Sequence, residues 1–177
     1  MHFMHRYYSY PAEMGFADGL VAQLGAQTGH NNAAFSISGK EGRPHIPIKV
    51  LGGDGQWHPN VIVLADSGND VTLFTGKDGA VTHLDQKARA EGSPFPVQGV
   101  AANPIKFNMT KTMIQIGDLR PIEIPLGIED ENPPQLEDTL LGREGCMERY
   151  IVVYTGDRVI FVEKETGQGC TVGCAKY

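Results

Sequence analysis

From residue 33 onward, short apolar and β-branched runs alternate with glycine, proline and polar punctuation. The runs are AAFSIS (33–38), IPIKVL (46–51), VIVLA (61–65), VTLF (71–74), PVQGVA (96–101), IKFNM (105–109), TMIQI (112–116) and PIEIPLGI (121–128). Val, Ile, Thr and Phe suit a pleated, half-buried surface, so this many short strands at this spacing predicts an all-β barrel or sandwich. Near the end, RYIVVY and RVIFVEK flank Thr155-Gly156-Asp157 and predict a β-hairpin. Two stretches leave the β pattern. GAVTHLDQKARAEG (79–92) is either a helix or an irregular connection, and GREGCMER (142–149) is long enough for about two helical turns. EDENPPQLED (129–138) reads as an acidic, proline-bearing surface loop.

Ahead of the strands, Met14, Phe16, Leu20, Val21 and Leu24 form a helical stripe between Pro11 and Gln27, with Gly29 beyond its end. The expected organisation is an N-terminal extension over 1–45, a β domain over 46–164 and a tail over 165–177. No internal repeat is visible.

Length and charge narrow the function classes. A chain of 177 residues holds one domain with a real core. Its 21 Asp and Glu against 15 Lys and Arg leave a net charge of -6 with no basic stripe, which disfavours a nucleic-acid surface and favours a protein or small-molecule partner. No apolar run reaches the roughly 20 residues of a membrane span, and the N-terminus lacks the basic-then-apolar order of a secretory signal. Three cysteines, Cys146, Cys170 and Cys174, do not make a disulfide framework, and Cys170 and Cys174 read as part of an ordinary tail. The expectation is a soluble protein of a reducing compartment such as the cytoplasm.

The candidate chemistry lies in VIVLADSGNDVTLF (61–74). An isolated Asp-Ser/Thr-Gly is weak, occurring by accident in about one chain in ten of this size. Here it follows an apolar strand without a polar break, so Asp66 emerges at the end of a buried strand, where a carboxylate is costly unless bonded or solvated by a cleft. Gly68 permits close backbone approach and Ser67 supplies a hydroxyl. Downstream, Leu140-Leu141-Gly142-Arg143 leads into the second non-β stretch.

Taken together, LADSGNDVTLF, LLGREGCMERYIVVY and the closing RVIFVEK resemble the retropepsin family of aspartic proteases, from about Ile46 to Lys164. The resemblance implies an all-β, retropepsin-like closed barrel with a short C-terminal helix, here carrying an N-terminal helical extension. It implies Asp66 as the catalytic aspartate and Ser67, Gly68 and Asn69 as its loop. Asp70 and Arg143 become a structural ion pair, expected to be buried. A substrate-covering flap falls at Val97, Gln98, Gly99, Val100 and Ala101, with its end near Pro104. Since the chain has a single Asp-Ser-Gly, activity requires a homodimer in which two Asp66 carboxylates meet across a twofold axis and act on a polypeptide bound in extended form. No metal or organic cofactor is implied, and the location implied for a chain of viral or mobile-element origin is the virion. Asn69 departs from the usual Ala, Ser or Thr, and its amide is expected to donate to the Asp66 carboxylate.

Other readings fit less well. A calcium loop at Asp66 fails the EF-hand pattern, and Ser67 lacks the Gly-Xaa-Ser-Xaa-Gly setting of a hydrolase nucleophile. The histidines do not form a zinc-protease motif. The rival from another class is a non-catalytic barrel of the same fold serving as a dimerisation or peptide-binding module.

Overall fold

The computed structural model describes residues 32–36, 43–92, 94–97, 104–131, 133–154 and 158–164. The expected helix over 11–27, the flap tip Gln98–Ala101, the 155–157 turn, Cys170 and Cys174 lie outside the described residues.

The strands are β1 (Asn32–Ser36), β2 (His45–Leu51), β3 (Trp57–Ala65), β4 (Thr72–Phe74), β5 (Phe95–Val97), β6 (Ile105–Ile116), β7 (Ile122–Glu129), β8 (Leu140–Leu141), β9 (Tyr150–Tyr154) and β10 (Arg158–Glu163). Period two decides their faces. In β2, Ile46, Ile48 and Val50 are buried while Pro47 and Lys49 are exposed. Strands β2, β3, β8, β4, β7 and β6 pair in that order, and β2 returns to pair with the end of β6, closing the barrel. Closure removes free edges from the ring. β5 adds to the first half of β6 through Phe95–Phe107 and Val97–Ile105 register pairs.

The two runs IKFNM and TMIQI are one continuous β6. Between them Thr110 and Thr112 keep the inward alternation and are both buried, so the polar letters there do not break the strand. Stretch 79–92 is helical: α1 (Gly76–Val81) and α2 (Leu84–Glu91) are separated by His83 in the left-handed region, φ 56°. Thr75 caps α1, its hydroxyl oxygen accepting from the Asp78 amide at 3.1 Å. The short helix expected over 142–149 is reduced to a turn and one 3-10 turn, Met147–Arg149.

β1, β10 and β9 form a separate antiparallel sheet, so the described part of the N-terminal extension supplies a strand to the closing hairpin. Ala33, Tyr150, Val159 and Phe161 join Ile46, Val63, Ile114 and Ile124 in one core shared by barrel and sheet. A smaller cluster, Leu73, Ile105, Phe107, Leu136 and Leu140, lies beneath the β5–β6 hairpin. Among the described residues no helix is long and apolar enough to cross a membrane.

Candidate active site

β8 decides the geometry of the site. This two-residue strand is wedged between β3 and β4, parallel to the first and antiparallel to the second. The Leu64 amide donates to the Thr139 carbonyl at 2.8 Å and the Asp66 amide to the Leu141 carbonyl at 3.2 Å. The apolar run VIVLA therefore carries Asp66 out of the core at a fixed point between two chain segments.

Within the loop, the Gly68 amide donates to Asp66 Oδ1 at 2.9 Å and the Asn69 amide to the Asp66 carbonyl at 3.2 Å. Such Asp-centred turns satisfy backbone donors locally. The Arg143 amide then donates to the Asn69 carbonyl at 2.9 Å, and the Glu144 amide to the Asp70 carbonyl at 2.7 Å. The Asp-Ser-Gly loop and the Gly-Arg loop are thus joined by main-chain bonds. Gly142 is required there, because its amide meets Thr72 Oγ1 at 3.1 Å and a Cβ would run into the Val71–Thr72 backbone where the chain enters β4.

Asp66 is half-buried at the side of a cleft of about 880 Å³. Gly68, Asn69 and Asp70 line it beside Asp66, and Leu64, Val71 and Leu73 supply apolar surface. Phe95, Pro96 and Val97 of β5 form one boundary, and Gln135 to Asp138 form another. Ser67 is exposed on the loop. Of the expected flap residues, Val97 is seen on the cleft at the base of the β5–β6 hairpin.

Two expectations about this loop are corrected. Asn69 Nδ2 donates to the Val71 carbonyl, not to Asp66, so the amide is committed to holding the loop. Arg143 does pair with Asp70, but their side chains are 61% and 67% exposed in this chain, so the pair is not buried. The described residues also place Tyr154 Oη 3.2 Å from the Ala65 carbonyl, tying the end of β9 to the residue before Asp66.

The segment 129–138 is the main surprise. Glu129 is 3% exposed and Leu136 belongs to the smaller core, so only parts of this acidic stretch face water. Asp138 pairs with Arg43 at 3.6 Å and with His45 at 3.2 Å along the cleft. The one available signal was Leu136, an apolar residue without a strand-like neighbour. Away from the cleft, Asp54 accepts from the Gln56 amide at 3.0 Å and pairs with His58 at 3.1 Å, which together hold its carboxyl below the ordinary value. Among the described residues no group of three or more His, Cys, Asp or Glu is placed to hold a metal ion.

The closed barrel, the wedged β8 and the few helices define a retropepsin-like fold. Its solved relatives include a retropepsin-like aspartic protease from Rickettsia conorii. That crystal structure is 16% identical in sequence and superposes with a TM-score of 0.52 over 76% of this chain and 93% of the other. No protein-family model matches the sequence, and no curated protein matches it significantly.

Proposed function

We propose that the protein is a homodimeric aspartic endopeptidase in which the Asp66 carboxylates of two subunits activate water against a peptide bond. The observation that carries this reading is the position of Asp66: a carboxylate on a hydrogen-bonded loop, at the end of a core strand, opening onto a cleft large enough for several side chains. A single carboxylate cannot both take a proton from water and give one to the carbonyl oxygen. Two of them about 3 Å apart cannot both ionise, so they share one proton and divide these roles, titrating as a pair. Water then adds to the carbonyl carbon, and return of a proton to the amide nitrogen releases the two peptide halves.

The second carboxylate must come from another copy. Strand β9 supports that step: among the described residues it is the last strand of its sheet, it exposes Ile151 and Tyr154, and it touches Ala65 through Tyr154. A sheet edge can serve as a template for pairing with a second chain. Substrate would lie extended beneath the β5–β6 hairpin, taking main-chain hydrogen bonds for affinity and alternate pockets for selectivity.

The test is cleavage of a diverse peptide library from pH 3 to pH 8 by the protein and by Asp66→Asn, with and without a statine-type transition-state mimic, alongside oligomeric state. Cleavage lost in Asp66→Asn and blocked by the mimic is expected. A well-folded dimer that cleaves nothing would instead favour a peptide-binding module.

A further inference from the structure

The wall of the cleft formed by residues 135–138 is held by a buried carboxylate. Glu129 Oε1 accepts from the Gln135 and Leu136 amides, the latter at 2.9 Å, and Oε2 accepts from the Gly76 amide at 3.1 Å. At 3% exposure this acid has no ion-pair partner among the described residues, and three backbone donors compensate its burial instead. The Leu136 side chain is buried with Leu73, Phe107 and Leu140. At the far end, the buried Thr139 hydroxyl donates to Asp78 and accepts from the Thr75 amide at 3.1 Å. The wall is tied at both ends, with Glu137 and Asp138 between the ties.

These two acids differ in their surroundings. Asp138 is engaged by Arg43 and His45. In the same cleft, Asp70 is engaged by Arg143. Glu137 is exposed, lines the cleft, and has neither an ion pair nor a hydrogen bond among the described residues. Lys77 shares the lining of an adjoining hollow of about 400 Å³ with Glu137 without pairing to it. Among the described residues lining this cleft, Glu137 is therefore, besides Asp66, the carboxylate left open to an incoming cation. Because its loop is already fixed, little ordering remains to be lost when a ligand pairs with it.

We propose that Glu137 selects a peptide carrying a lysine or arginine side chain at one position of the cleft, with Glu129 as the residue that positions the selecting wall. This rests on the reading of the cleft as a peptide site, and not on turnover.

Binding, not cleavage, separates the two questions. Full-length Asp66→Asn protein is titrated by fluorescence anisotropy with extended peptides carrying Lys, Gln or Glu at each position in turn. At one position the Lys peptide should bind about three- to tenfold tighter than the Gln peptide, and the Glu peptide should bind more weakly still. Adding Glu137→Gln should level the series, and Glu137→Lys should invert it in favour of Glu. Glu129→Gln, which puts an amide donor against backbone donors, should shrink the preference while unfolding curves report how much fold is retained. A Lys preference that survives Glu137→Gln, equal affinities throughout, or no peptide binding at all would overturn the proposal. Absence of Asp66-dependent cleavage in the unsubstituted protein would overturn the protease reading alone.

Discussion

A Cβ placed on Gly142 would stand 2.3 Å from the carbonyl carbon of Val71, closer than real contacts allow. Backbone meets backbone at this crossing, so no side-chain rotation relieves the clash. Gly142→Ala must push β8 away from β4, breaking the bond from Gly142 to Thr72 and disturbing the loop that holds Asp66. Overpacking of this kind costs about 1–3 kcal/mol or more. Urea unfolding should show that loss, and on the proposed protease reading peptide cleavage should fall further than stability alone explains. An Ala variant of unchanged midpoint would mean that the crossing is looser than the structure has it.

Asp70 and Arg143 are largely exposed in the single chain. Screening by water limits such a pair to about 0–1 kcal/mol. Arg143→Ala should therefore leave the unfolding midpoint of dilute, monomeric protein almost unchanged. The main-chain bonds from Arg143 and Glu144 to the Asp66 loop persist in that variant. If dimerisation covers the pair, the same substitution weakens self-association several-fold, measured by sedimentation across a concentration series. A large loss of monomer stability would contradict the exposure seen here.

The barrel was legible because its runs are rich in β-branched and apolar residues, with period two plain in β2 and glycine directly after β2, β6 and β8. Asp66 was legible because no polar residue separates VIVLA from Asp-Ser-Gly. What escaped the sequence depends on tertiary partners. Glu129 looks like the first letter of an acidic loop, yet it is buried against the amides of Gly76, Gln135 and Leu136, residues that no local pattern brings together. Asn69 was expected to face Asp66 because it is a neighbour in sequence, but a turn directs its amide to Val71. Glycine, lastly, hides its purpose. Gly142 is one of 22 glycines, and only the position of β4 shows why it carries no side chain.

Asp54 links the tip of the β2–β3 hairpin to His58, and its carboxyl is held below the ordinary value chiefly by the Gln56 amide and then by His58. A depressed acid stabilises the fold at pH above its unfolded value and loses that contribution as pH falls through the folded one. Stability should therefore decline, as pH falls through and below the ordinary carboxylate range, more steeply in the unsubstituted protein than in Asp54→Asn. Urea midpoints at several pH values provide the comparison. Parallel declines would show that Asp54 contributes nothing in acid.

Cys146 behaves in the opposite sense. It is fully buried, and burial pushes its thiol up to about 12. The thiolate is the reactive form, so native Cys146 should be nearly inert to iodoacetamide at pH 8 and should react rapidly in urea. Peptide mapping of the alkylated protein isolates this residue from Cys170 and Cys174. The linkage has a definite sign: an acid whose pKa is raised by folding favours the fold while protonated. As pH rises above the ordinary thiol range, the unfolded chain ionises first and stability falls until the native thiol also titrates. Cys146→Ala should remove that alkaline slope, at a cost of roughly 1 kcal/mol at neutral pH for the lost packing. Rapid native alkylation at Cys146 would show instead that the turn ahead of Met147–Arg149 opens readily, and with it the segment that follows Arg143.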